Sequence, residues 1–156
     1  MKFLFVSPGK IKDKSIRTLA DDYLSRINRF IKAQSVETKE IKGVSSKDLN
    51  KIILEEGRDL SKFIKKGSFA ICLDERGKNF STKEFASFLS GKLNSSLSEM
   101  VFLVGGPFGI SEEVKKQSNL LMSLSKMTFP HELSKVILLE QVYRVLTIIR
   151  GQRYHY

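Results

Sequence analysis

The side chains in this 156-residue chain that could do acid–base or nucleophilic chemistry are few. His131 and His155 are its two histidines and Cys72 its one cysteine. Cys72 sits inside the apolar run Phe69-Ala70-Ile71-Cys72-Leu73, so it reads as inert core rather than as a nucleophile. One cysteine forms no internal disulfide and no multi-cysteine zinc centre, and no metal site is expected. Nothing reads as a hydrolase triad. Asp74 and Glu75 stand beside Arg76 and Lys78, a pattern of local salt bridging rather than of a paired-acid site.

The backbone offers more. Val104-Gly105-Gly106-Pro107-Phe108-Gly109-Ile110 follows an apolar run and precedes a helix start. Glycines let a ligand approach the main chain, which suits a nucleoside held by backbone groups. The spacing is neither the dinucleotide fingerprint nor a P-loop, since no Gly-Lys-Ser/Thr follows. Taken alone, such a turn between strand and helix is more often just a turn. Two further segments could wall a pocket with it, Leu73 to Lys78 and Leu124 to His131, though the latter also reads as an ordinary loop. The chain ends Arg150-Gly151-Gln152-Arg153-Tyr154-His155-Tyr156, mixing cations with rings that can hold phosphates and stack on unpaired bases. A frayed polar tail would look the same.

The elements that must position these groups alternate. Phe3 to Val6 reads as a strand closed by Ser7-Pro8-Gly9. Ile16, Leu19, Ala20, Tyr23, Leu24 and Ile27 repeat at helical spacing. Val36 to Ile41 alternates as a strand, and Ser46 can cap a helix carrying Leu49, Ile52, Ile53, Leu60, Phe63 and Ile64 that ends at Gly67. Phe69 to Leu73 and Met100 to Val104 are continuous apolar strands of the buried parallel kind. Ser81 to Glu84 is a capping box, Ser111 starts a short helix, Leu121 to Leu124 is a fifth strand, and a last helix spans Glu132 to Ile149. This series predicts one α/β domain over residues 1–156, a parallel sheet with helices on both faces. Ligands of such sheets bind outside the carboxyl ends of the strands, where all three candidate segments fall.

The last helix is apolar on more than one side, so two surfaces must cover it. One is the sheet. The other is either the rest of the same chain or a second copy, and a two-fold dimer is the expectation. The net charge of +10 favours a polyanion partner, although a merely solvated basic surface has the same balance. MKFLFVSPGK is too short for a signal peptide core, and no stretch supplies the roughly 20 apolar residues of a spanning helix. A soluble cytoplasmic protein is expected.

Leu73-Asp-Glu-Arg-Gly-Lys with Ser81-Thr-Lys-Glu-Phe-Ala, Val104-Gly-Gly-Pro-Phe-Gly-Ile, Ser123-Leu-Ser-Lys-Met-Thr-Phe-Pro-His131, and Glu140-Gln-Val-Tyr-Arg144 with Tyr154-His155 together resemble the ribosomal RNA large subunit methyltransferase H family, of the SPOUT class. The resemblance spans nearly the whole chain and is most specific from Ile71 onward. Phe108 departs from it, standing where relatives often carry a polar residue. The resemblance implies a C-terminal deep trefoil knot, which general topology rules argue against. It implies a homodimer that uses S-adenosyl-L-methionine to methylate N3 of a pseudouridine in helix 69 of 23S rRNA, within the assembled 70S ribosome, with neither DNA nor membrane as partner. By motif, Leu73, Gly105, Leu124, Ser125, Lys126, Met127, Thr128 and Phe129 would hold the cofactor. His131, Arg144, Tyr154 and His155 would stand on the substrate side. Two other functions fit the same charge: a non-catalytic ribosome-binding protein, and a tRNA methyltransferase of the same class.

Overall fold

The computed structural model describes residues 1–41 and 48–152. Ser46, expected to cap a helix, and the terminal residues Tyr154 and His155 lie outside the described residues. The elements run β1 (Lys2–Pro8), α1 (Lys14–Ile27), β2 (Ala33–Thr38), α2 (Leu49–Ser61), β3 (Ser68–Asn79), α3 (Thr82–Leu93), β4 (Glu99–Leu103), α4 (Glu112–Gln117), β5 (Leu120–Ser123) and α5 (His131–Ile149).

The strands form one sheet in the order β2-β1-β4-β3-β5, and every pairing is parallel. β4 lies between β1 and β3 and is buried at all five positions, as a central parallel strand covered on both faces must be. Side chains alternate across the sheet. Phe3, Phe5, Ile71, Met100 and Phe102 join Ile27 of α1, Leu89 of α3 and Val142 of α5 in the larger core. Leu4, Val6, Cys72, Val101 and Leu103 face the other way, onto Leu60 of α2 and Val114 of α4. Helices therefore cover both faces.

Local chemistry sets the helix starts. Asp13 Oδ1 accepts from the amides of Ser15 and Ile16 at 2.8 and 3.0 Å. Ser81 and Glu84 form the expected capping box, and Ser111 Oγ accepts from the Val114 amide.

Several boundaries differ from the sequence pattern. β2 begins at Ala33 and ends at Thr38, because parallel pairing with β1 (Phe3 against Ala33) overrides the weak alternation of an exposed edge strand. α2 stops at Ser61, and Phe63 and Ile64 continue its apolar face from the following turn. Gly67, at φ +82°, belongs to the turn into β3.

β3 does not end at Leu73. Met122 of β5 is in register with both Leu73 and Lys78, so the residues between them arch out and the strand rejoins the sheet. At Gly77 the arch returns so close that a Cβ would stand 2.6 Å from backbone atoms of Leu121 and Met122.

The apolar breadth of α5 is largely met within one chain. It packs on the sheet and against both α1 and α3, burying Val136, Leu138, Leu139, Val142, Val145 and Leu146. Leu133 and Ile148 are its large apolar residues left exposed. The helix alone therefore does not demand a second copy. No helix among the described residues is long and apolar enough to cross a membrane.

Gly77→Ala places a methyl against β5 backbone that cannot swing aside. It should cost about 1–3 kcal/mol, the range for overpacking. Urea denaturation checks this; a variant as stable as the wild type would show that the crossing has slack.

Candidate active site

Because all strands run the same way, the turns after β4 and β5 and the arch of β3 gather along one edge of the sheet. There they enclose a cavity of about 500 Å³. Of the residues expected at a cofactor site, Leu73, Gly105, Leu124, Ser125, Met127, Thr128 and Phe129 all line it, and His131 stands on the same wall. Lys126 is not among the lining residues.

The glycine turn is built for close approach. The Val104 amide still donates to Val6 O at 2.9 Å, extending the β4–β1 ladder before the chain turns. Gly106 and Gly109 then bridge each other, with the Gly109 amide donating to Gly106 O at 3.1 Å and Gly109 at φ +91°. A Cβ on Gly105 would stand 2.7 Å from Ile110 Cγ1 and 2.8 Å from the Gly109 carbonyl group. The turn folds back too tightly for any side chain there. Phe108, at the tip, is 47 % exposed. The turn after β5 is shaped by hydroxyls: Ser123 Oγ donates to Ser125 O at 2.8 Å, and Ser125 Oγ accepts from the Met127 amide at 3.0 Å. Met127 projects at the rim, 72 % exposed.

Leu73, Val104, Leu124 and Phe129 give the cavity apolar walls, and Gly105 gives access to backbone donors and acceptors. An apolar slot edged by main-chain polar groups fits a nucleoside. The donor set therefore suits S-adenosylmethionine.

The arch is tied to α4 by charge. Lys115 Nζ lies 2.6 Å from Asp74 Oδ2 and 2.8 Å from Glu112 Oε1, and the Arg76 amide donates to Asp74 Oδ1 at 2.8 Å. Burial alone would push the Asp74 carboxyl up, but the Lys115 hydrogen bond, the Arg76 amide and the two cations outweigh it and hold it below the ordinary carboxylate range. The expected local pairing of Asp74 with Arg76 and Lys78 side chains is thus replaced by a contact with α4. Nothing in the spacing of Lys115 announces that partner. Cys72 is fully buried, and burial pushes its thiol up to about 12, so it stays protonated and inert. His131 is held below its ordinary value, first by burial and then by the charge of Lys135 one turn along the helix. It is a neutral imidazole at neutral pH.

Arg144 does not join this site in one chain. It lies on α5 about 20 Å along the axis from His131, at 1.5 Å per residue. There its guanidinium holds Glu140 Oε1 at 2.6 Å. The structure therefore separates residues that the resemblance puts on one substrate side.

An all-parallel α/β domain with a nucleoside-sized cavity at the carboxyl edge is the setting in which the comparisons with known proteins fall. Residues 1–155 match the family described as "Predicted SPOUT methyltransferase", and the chain belongs to that family. Within it, the chain is similar to proteins named "Ribosomal RNA large subunit methyltransferase H". That of Clostridium botulinum (strain Kyoto / Type A2) is 39 % identical, covering 99 % of each chain. That of Thermotoga neapolitana is also 39 % identical, covering 100 % of each. A crystal structure titled only as a hypothetical protein shares the fold, with a TM-score of 0.56 at 12 % identity over 96 % of this chain and 81 % of the other.

Asp74→Asn should lower stability at neutral pH by about 1–2 kcal/mol, less than the 3–5 of a fully buried pair. Since the native carboxyl is held down, its contribution is complete above the unfolded value and is lost as pH falls through the native one. Urea midpoints of wild type and variant should converge as pH falls from about 5 to well below the ordinary aspartate value near 3.9. A gap that stays constant over that interval would remove the role of the Asp74–Lys115 pair.

Proposed function

We propose that this protein is an S-adenosyl-L-methionine-dependent methyltransferase of large-subunit ribosomal RNA, acting in the cytoplasm on N3 of a pseudouridine in helix 69 of 23S rRNA within the assembled 70S ribosome. One observation carries the reading: three segments far apart in sequence, marked by Leu73, Gly105 and Leu124 to Phe129, border one cavity. The names of the relatives support rRNA as substrate, and the net charge of +10 supports a polyanion.

When bound, S-adenosylmethionine supplies an electrophilic methyl group on a sulfonium, a good leaving group. The protein's task is then alignment, which can supply about 7–11 kcal/mol. Leu73, Val104 and Phe129 exclude water from the slot, and the Gly105 turn presents backbone to the nucleoside. Bound in this slot, the cofactor would supply the methyl group, and these residues would orient it toward the N3 to be methylated. The proton on N3 must also leave. A neutral histidine can accept it, worth about 10²–10⁴-fold. His155 of the cation-and-ring tail is one candidate, and the structure adds His131, which stands on the cavity wall with its imidazole uncharged. Arg144 stays charged throughout and pins a phosphate or a base edge instead.

The distance between Arg144 and His131 supports a homodimer in which the Arg144 end of α5, with Tyr154 and His155, completes the cavity of the other copy. A trefoil knot fits the same geometry. The chain from Leu124 to Phe129 shares the cavity with the β3 arch and the glycine turn before α5 begins, as a segment threaded between them would.

Transfer of tritium from labelled S-adenosylmethionine to ribosomes, isolated subunits and tRNA tests the activity. Label on N3 of a 23S rRNA pseudouridine in ribosomes is expected. Label on tRNA alone would redirect the reading to the related tRNA enzymes, and none anywhere would leave a ribosome-binding protein. The base is assigned by pH. With His131 as acceptor, single-turnover rate falls only as pH drops below the ordinary histidine value near 6.5, and His131→Gln lowers the plateau by about 10²-fold or more. If His155→Ala does this instead, His155 is the base. Mixtures of a Gly105→Val subunit with an Arg144→Ala subunit should recover activity that neither homodimer has; no recovery in any mixture contradicts a shared site.

A further inference from the structure

Against the glycine turn, outside the cavity lining, lies a carboxyl group with no assigned work. Glu56 of α2 is 3 % exposed. Its Oε1 accepts from the Ile41 amide at 3.3 Å. Its Oε2 occupies the space beside Gly106 so fully that a Cβ there would stand 2.6 Å from it. The next residue, Gly57, is equally close to the turn: a Cβ on it would collide with Ser111 Oγ, the cap of α4. Residues 56 and 57 thus meet the turn at two points, Gly106 and the Ser111 cap that follows it. A carboxyl taken out of water costs free energy unless something is gained. An apolar residue at this helical position would have joined Leu60 in the core at no such cost.

We infer that Glu56 is a positioning residue for the methyl-donor site: its carboxyl, anchored on the Ile41 amide and wedged against Gly106, holds the glycine turn in the shape that faces the cavity. This rests on the reading of that cavity as the donor site. Burial raises the Glu56 carboxyl above its ordinary value, the Ile41 amide lowers it, and Glu40 adds to the rise. Both contacts, with the Ile41 amide and beside Gly106, are made by the carboxyl's shape and acceptor oxygens. Glutamine keeps both, and alanine keeps neither.

The test combines hydrogen exchange with calorimetry on the full chain. In Glu56→Ala, amides from Gly105 to Ile110 should exchange about tenfold faster than in the wild type, while those of α3 and α5 keep their protection. The dissociation constant for S-adenosylmethionine should rise about tenfold or more, and KM for it should rise with kcat for bound ribosomes little changed. Glu56→Gln should restore all three. Glu56→Ala that is folded, with unchanged exchange in the turn, overturns the inference. If the wild type gives no heat with S-adenosylmethionine, the donor reading fails, and the exchange comparison still decides whether Glu56 holds the turn. A double-mutant cycle covers the case in which Glu56→Ala alone folds poorly. Gly106→Ala needs the space that Oε2 fills, so it should disturb the turn more with Glu56 or Glu56→Gln present than with Glu56→Ala. Equal effects in all three backgrounds contradict the contact.

Discussion

The shared direction of the five strands is the constraint on which the rest depends. Parallel pairing sends every carboxyl end, and the turn after it, to one edge of the sheet. Parallel strands need long crossovers, and these supply the helices that bury both faces. Cavity and core are therefore products of one arrangement: Val104 leaves the β4–β1 ladder and at once becomes a wall of the cavity.

Within that frame, one close passage shapes the site. β3 detours between Leu73 and Lys78 and returns against β5 at Gly77, where there is no room for a side chain. The detour lifts Asp74 to where Lys115 of α4 can hold it. The arch is thus fixed to β5 at its foot and to α4 at its crest. The glycine turn between them is held by its own Gly106–Gly109 bridge and is backed by Glu56. A cavity with walls fixed in this way loses little on binding to the ordering of loops.

Much of this was legible in the sequence where the cause is local. Ser81 and Ser111 carry their capping chemistry in their own side chains. The apolar runs around Ile71 and Phe102 read as buried strands, and the glycines after Val104 marked a turn where the main chain can be approached closely. What stayed hidden depends on partners distant in the chain. β2 took its limits from β1, and the arch of β3 exists because β5 pairs with both of its ends. Lys115 and Glu56 look like ordinary charges on exposed helices until the fold brings Asp74 and Gly106 to them. The breadth of α5 pointed to two covering surfaces, but periodicity cannot say whether the second is α1 and α3 or another copy. His131 and Arg144, near in motif order, are kept apart by the rigid length of one helix.

The account stands on a single cavity made by three separated segments that accepts a sulfonium nucleoside. Calorimetric titration of the purified wild-type chain with S-adenosylmethionine, beside Gly105→Val and Phe129→Ala, tests that most directly. Saturable binding at one site per chain is expected in the wild type, absent in Gly105→Val and weakened in Phe129→Ala. Wild-type binding that both substitutions leave intact, or no binding by a folded wild type, would contradict it.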